Sequence, residues 1–204
     1  MRTAYRLARH EARLLVSLGL WLARRRHGTG GGRAFGYARG QGATMAGLAL
    51  VCVIEAFTMA VLLRGWPVAH RIMLVLDGYT VLFVAGLHAA CVVRPHVLTP
   101  KALRVRHGAH VDLWIPRAAI GAVRRETRST HERVPGELNL AVGSQTSVTL
   151  ELTAPLAHST LLGRRREVSV IRLHADDPEA FVRTLAGALT PERTGSSSSP
   201  ARPG

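Results

Sequence analysis

Two apolar runs, Met45–Leu63 and Ile72–Val93, dominate the hydropathy pattern, and only Arg64–Arg71 separates them. Each is close to the ~20 residues a helix needs to cross a bilayer core. The pattern predicts a transmembrane hairpin over residues 43–93, with spans at 45–63 and 72–93. Upstream, the apolar run Leu14–Ala23 is too short to span. Within residues 1–27, Leu7, Leu14, Leu18, Trp21 and Leu22 share one helical face, and Arg2, Arg6, Arg9, Arg13 and Ser17 share another. An Arg-rich face beside a Leu/Trp face predicts an amphipathic interfacial helix over residues 1–27, lying on anionic lipid. The run closes on Arg24-Arg25-Arg26 with no small-residue cleavage site, which argues against a signal peptide.

Residues 28–42, GTGGGRAFGYARGQG, carry seven glycines. They fit no Gly-x-Gly-x-x-Gly frame and no Gly-Lys-Ser/Thr follows, so a flexible linker is expected rather than a phosphate cradle. After Arg94 the period changes to two. Leu103–Arg106, Val111–Ile115, Ile120–Val123, Leu138–Val142, Val148–Leu152 and Val168–Leu173 alternate as strands, with Leu138–Val142 and Val148–Leu152 expected to form a hairpin. Residues 126–136 and 154–166 are expected loops. Asp177 is placed to cap a helix that starts at Pro178, with Phe181, Val182, Leu185 and Leu189 on its packing face. The tail 190–204, with Ser196–Ser199, is too polar to fold alone and is expected to be disordered.

Charge changes this picture in one respect. The net charge is +14, and residues 1–42 hold nine arginines against Glu11 alone. Arg94, Lys101, Arg104 and Arg106 follow the second run, whereas the intervening loop has only Arg64 and Arg71. The positive-inside rule then puts both termini in the cytoplasm, around a two-span anchor in the cell (inner) membrane. The same rule accounts for the basic flanks, and few aromatic residues are present to stack on bases, so nucleic acid is not an expected partner. Cys52 and Cys91 lie inside the apolar runs, at different depths of an antiparallel hairpin, and no disulfide is expected.

Candidate chemistry is sparse. Glu55 and Asp77 each lie about eleven residues from a turn near residue 66, at similar depth. Two close carboxylates there can share a proton or bind a cation; the alternative is that both are protonated and hydrogen-bonded at a helix contact or homodimer seam. His88 is expected to satisfy a backbone or headgroup partner. His107 and His110 lack the further ligands of a metal site, and no metal or cofactor is expected. Anionic lipid or an acidic partner is expected at Arg6, Arg9, Arg13, Arg24, Arg25 and Arg26, and at the cluster Arg164, Arg165, Arg166. No Gly-x-Ser-x-Gly or His-Glu-x-x-His occurs, so no enzyme is expected.

Several segments carry a resemblance: Arg94-Pro-His-Val-Leu-Thr99 leaving the membrane, Leu103-Arg-Val-Arg106, Ile115-Pro-Arg-Ala-Ala-Ile120, and Ile171-Arg-Leu-His-Ala-Asp-Asp-Pro-Glu-Ala-Phe181. Across residues 46–189 the chain resembles small bacterial two-helix membrane proteins carrying a pleckstrin-homology-like (PH-like) domain. The resemblance implies a membrane α-helical hairpin plus an α+β soluble domain over 94–189, a PH-like antiparallel β-barrel or sandwich with a C-terminal helix. It implies a non-enzymatic binding or scaffolding module with a protein partner or a second copy, and supplies no catalytic residue. The competing expectation is a small membrane subunit of an ion or substrate transport assembly using Glu55 and Asp77.

Overall fold

The structure, a computed structural model, describes residues 2–25, 27–130, 132, 134–159 and 165–190; residues 191–204 of the expected tail lie outside them. Helix α1 covers Arg2–Leu22 and strand β1 Arg33–Phe35; helices α2 and α3 cover Gly42–Leu62 and Pro67–Val93. Strands β2 to β5 follow at His96–Leu98, Ala102–His107, Val111–Pro116 and Ile120–Arg128. Then come β6 Glu137–Leu140, β7 Thr146–Ser159, β8 Arg165–Leu173 and helix α4 Pro178–Leu189. The result is an α+β molecule with two four-stranded sheets, ordered β1-β2-β3-β4 and β5-β7-β8-β6.

Helices α2 and α3 are both long and apolar enough to cross a membrane. Pro67 opens α3 at its first turn, where a missing N–H costs nothing. Their side chains face outward over most of their length: Phe57 and Leu62 are 72% exposed and Val75 is 74% exposed. The exception is the last part of α3, where Val84, Gly86, Ala89, Ala90 and Val93 are buried. Leu14 of α1 packs there, with Phe83, Leu87, Ala90 and Ala109. Gly86 permits this approach, since a Cβ at that position would stand 3.3 Å from the Leu14 Cβ.

One apolar cluster unites both sheets and α4. Leu103, Val105 and Ile115 come from the first sheet, Val148, Leu150 and Ile171 from the second, and Phe181 and Leu185 from α4. Asp177 caps α4 by accepting a hydrogen bond from the Ala180 N–H at 2.9 Å.

Five local expectations are corrected. The segment 28–42 is not a free linker: β1 pairs antiparallel with β2, Phe35 enters the core, and Tyr37 is buried with its hydroxyl accepting from the Gly108 N–H at 2.9 Å. The turn at Val142–Gln145 exists, but β6 does not pair with β7 as a hairpin; it runs parallel to β8. The second sheet is therefore mixed rather than purely antiparallel. Strand β5 continues to Arg128, into the expected loop 126–136. The expected loop 154–166 is largely strand, because β7 reaches Ser159 and β8 begins at Arg165. In these cases long-range ladder pairing overrides a local sequence that is Gly-rich, polar or interrupted by proline. Finally, the polar stripe of α1 is turned partly toward protein. Ser17 is fully buried, while Leu15, Val16 and Leu22 remain exposed.

Candidate functional site

A strongly charged part of the molecule lies where α1, the end of α3 and strand β3 meet. Arg94 follows directly on the last turn of α3. Its Nε donates to Ser17 Oγ at 3.2 Å and its Nη2 to the Arg13 carbonyl at 3.4 Å. Arg13 in turn donates through Nη1 to the Ala109 carbonyl at 3.3 Å. On β3, period-two alternation sends Leu103 and Val105 into the core and leaves Arg104 and Arg106 on the opposite face. Arg104 grips Asp112 of β4 with two hydrogen bonds of 2.6 Å each. Arg106 is enclosed, donating to the carbonyls of His27 at 2.7 Å and Gly28 at 2.9 Å. Gly28, at φ +62°, bends the chain over this guanidinium, and a Cβ there would stand 2.7 Å from Arg106 Nη2.

These side chains line a cleft of about 330 Å³ with Arg9 and Asp112. Its electrostatics show crowded positive charge. Burial lowers the pKa of Arg94, and Arg13 adds to that lowering; burial and then Arg104 lower that of Arg106. Arginine does not lose its proton under ordinary conditions, so these directions reflect first the burial of charged groups and second their mutual repulsion. His27 is lowered by burial and then by Arg94 and Arg106. Burial would raise the Asp112 carboxyl, but the Arg104 hydrogen bonds and charge, with Arg106 and Arg13 behind them, hold it below its usual value.

The residues expected from sequence are placed as follows. Arg9 and Arg13 join this cleft, whereas Arg24 and Arg25 are exposed beyond the end of α1. Arg26, Arg164 and the side chain of Arg6 lie outside the described residues. Arg165 and Arg166 are strand residues, opposite Ser159 and His158 in the β7–β8 ladder rather than in a loop. Arg166 also borders a cleft of about 470 Å³ with Glu137, His158 and Glu167.

Glu55 is exposed on α2 and Asp77 half-buried on α3, and no hydrogen bond joins them among the described residues. The polar link of α3 is instead Tyr79, whose hydroxyl donates to Glu11 Oε1 at 2.9 Å. His88 stands edge-on to Trp21, with ring centroids 6.0 Å apart. Its Nδ1 is buried without a hydrogen-bond partner among the described residues. His107 and His110 meet edge to face at 5.4 Å. Among the described residues no three His, Cys, Asp or Glu side chains are grouped to hold a metal.

Sequence reasoning missed Arg94, Arg104 and Arg106 as members of one site with Arg9 and Arg13. The available signal was the pair Arg104-Val-Arg106, charge at period two within an otherwise apolar strand. Compared with protein-family models, curated proteins and solved structures, the chain matches none.

Proposed function

We propose that this chain is a membrane-anchored, non-enzymatic binding or scaffolding module, with a PH-like β domain held at the cytoplasmic face of the cell membrane. The observation that carries this reading is the pairing of β1, which precedes α2, with β2, which follows α3. The two ends of the helical hairpin belong to one sheet. Two crossings return the chain to the side it left, as that pairing requires; one crossing would tear the sheet. The outward apolar surfaces of α2 and α3 suit lipid, and the basic residues around β1 and β2 favour the cytoplasmic side. The Arg94 bonds to Ser17 and the Arg13 carbonyl then tie the anchor to the interfacial helix, giving a partner a fixed surface at the membrane.

Reporter fusions after Gly204 and within residues 64–71 test the topology. A cytoplasmic C-terminus with an external 64–71 loop is expected, and an external C-terminus would overturn it. Crosslinking and pull-down from native membranes then tests the scaffolding role. Glu55 gives a second reading its footing, since an exposed carboxylate among apolar neighbours of α2 calls for a neighbouring subunit or an ion. In the scaffold reading, the Glu55→Gln, Asp77→Asn double variant keeps its partners. Loss of an ion or substrate flux in that variant, with partners retained, would favour the transport assembly.

A further inference from the structure

We propose that the cleft between α1, the end of α3 and strand β3 is a binding site for a phosphate group, carried by an anionic phospholipid headgroup or by a soluble phosphate ester. The lipid alternative rests on the membrane reading given above; the phosphate chemistry does not. Five arginines, Arg9, Arg13, Arg94, Arg104 and Arg106, surround this space with one carboxylate, Asp112. That carboxylate is already engaged by Arg104 in a two-bond grip. It therefore offsets one positive charge and leaves the others facing one another.

Among the described residues, the hydrogen bonds within the group show which donors are spare. Arg106 commits both terminal nitrogens to the carbonyls of His27 and Gly28 and acts as a latch. Arg94 uses Nε and Nη2, leaving Nη1. Arg13 uses Nη1, leaving Nη2. Arg104 uses Nε and Nη2, leaving Nη1. Arg9 is exposed at the rim. Three guanidiniums from three different elements are thus fixed by some of their donors and retain others. A tetrahedral phosphate, with three or more acceptor oxygens, can use donors arriving from several directions, where a planar carboxylate serves one fork best. The cleft, about 330 Å³, has the room of roughly ten waters, enough for a phosphate with part of its hydration shell.

Placement supplies the second argument. Arg94 is the first residue beyond α3, so a cleft built on it lies beside the end of a span. In the membrane reading that is the depth of the lipid phosphates, where basic pockets recognise headgroups. Burial is the first cause of the lowered Arg94, Arg106 and His27 values, and neighbouring arginines lower each of them further.

The full chain in a neutral maltoside detergent is titrated by calorimetry with diheptanoyl phosphatidylglycerol, with the phosphate-free diheptanoylglycerol, and with inorganic phosphate. Two variants are compared. Arg94→Gln removes one donor and one charge. Ala12→Glu places a carboxylate at an exposed position of α1 lining the cleft, keeps a good helix former and breaks no hydrogen bond. Binding of phosphatidylglycerol is expected to be saturable, weakened by salt, and about tenfold weaker in each folded variant, the scale of one charge-assisted hydrogen bond. If Arg94→Gln fails to fold, Ala12→Glu decides alone. Phosphatidylglycerol binding that inorganic phosphate does not displace assigns the site to a headgroup. Displacement by inorganic phosphate assigns it to a soluble phosphate ester. The proposal is overturned if neither probe binds, if diheptanoylglycerol binds as tightly as phosphatidylglycerol, or if folded Ala12→Glu binds like the wild type. Resistance of the chain to alkaline carbonate extraction is scored separately, so a failed cleft is not confused with a failed anchor.

Discussion

His96 is fully buried, and its two ring nitrogens have different partners. Nδ1 lies 3.1 Å from the backbone N of Arg106, which can only donate, so Nδ1 accepts. Nε2 then carries the hydrogen and donates to the His174 carbonyl at 3.1 Å. A second proton has no acceptor there, and burial pushes the pKa from 6.5 down to about 4. Between those two values the unfolded chain takes up a proton that the folded chain refuses. The His96 contribution is complete above pH 6.5 and falls away towards pH 4, a loss of about 3 kcal/mol. His107 is lowered to about 4 in the same direction, by burial and then by His110, and steepens the fall. Denaturant unfolding of the full chain at pH 7 and pH 4.5 measures the difference. His96→Leu should flatten part of the slope while lowering stability at pH 7, because the Arg106 N–H and the His174 carbonyl lose their partner. An unchanged slope would assign the titration to other groups. Phe181 poses a simpler packing question. It is 1% exposed and stands edge-on to Phe35 at 4.9 Å, so Phe181→Ala should cost about 3–5 kcal/mol in the same assay.

At the scale of elements, strand β1 depends on a glycine with no room for a side chain. A Cβ on Gly32 would stand 2.7 Å from both the Leu98 carbonyl oxygen and Val97 Cγ1. Gly32→Ala should therefore lift β1 away from β2, at a cost of about 1–3 kcal/mol. Amide exchange at Ala34 and Phe35 should accelerate. Gly40→Ala, with open space around it and no positive φ, should leave exchange unchanged and serves as the control. The same strand shows what sequence pattern can reveal. The two apolar helices and the capped α4 are local patterns many residues long, and they were legible. So were the cores of the strands around Leu103–Arg106, Val111–Ile115 and Val168–Leu173, where alternation reflects one buried face. Strand β1 is three residues long in a Gly-rich setting, and its partner lies beyond two helices. No local period can signal such a pairing. Parallel pairing of β6 with β8 is likewise set by the whole sheet; the ends of β5 and β8 carry polar residues that read as loop, and β7 reads so because Pro155 interrupts it. The cleft stayed hidden for the same reason: its arginines come from a helix, a helix end and a strand, and only folding brings Arg9 and Arg13 to Arg94, Arg104 and Arg106.

For the molecule as a whole, the length of α3 and the β1–β2 ladder make one argument. Twenty-seven residues of helix extend about 40 Å, some 10 Å beyond a hydrocarbon core of about 30 Å. The buried residues of α3 all lie between Val84 and its C-terminal end at Val93, where α1 and the β3–β4 turn pack. In the proposed arrangement this end rises out of the hydrocarbon, and α1 packs against it at the interface. The ladder then closes the hairpin: Ala34 lies directly opposite Val97, on either side of both helices in sequence. With Cys52 and Cys91 replaced by serine, the Ala34→Cys, Val97→Cys chain should form an intramolecular disulfide under mild oxidation in native membranes. Directly opposed strand residues can meet the geometry of that bond. After denaturation both thiols should lack maleimide labelling and regain it on reduction, since Val97 is buried in the folded chain. Pairing Ala34→Cys with Val68→Cys, near the start of α3, should leave both thiols reactive. If the 34/97 pair also stays reactive, the hairpin ends do not share a sheet in the membrane, and the two-crossing anchor loses its structural support.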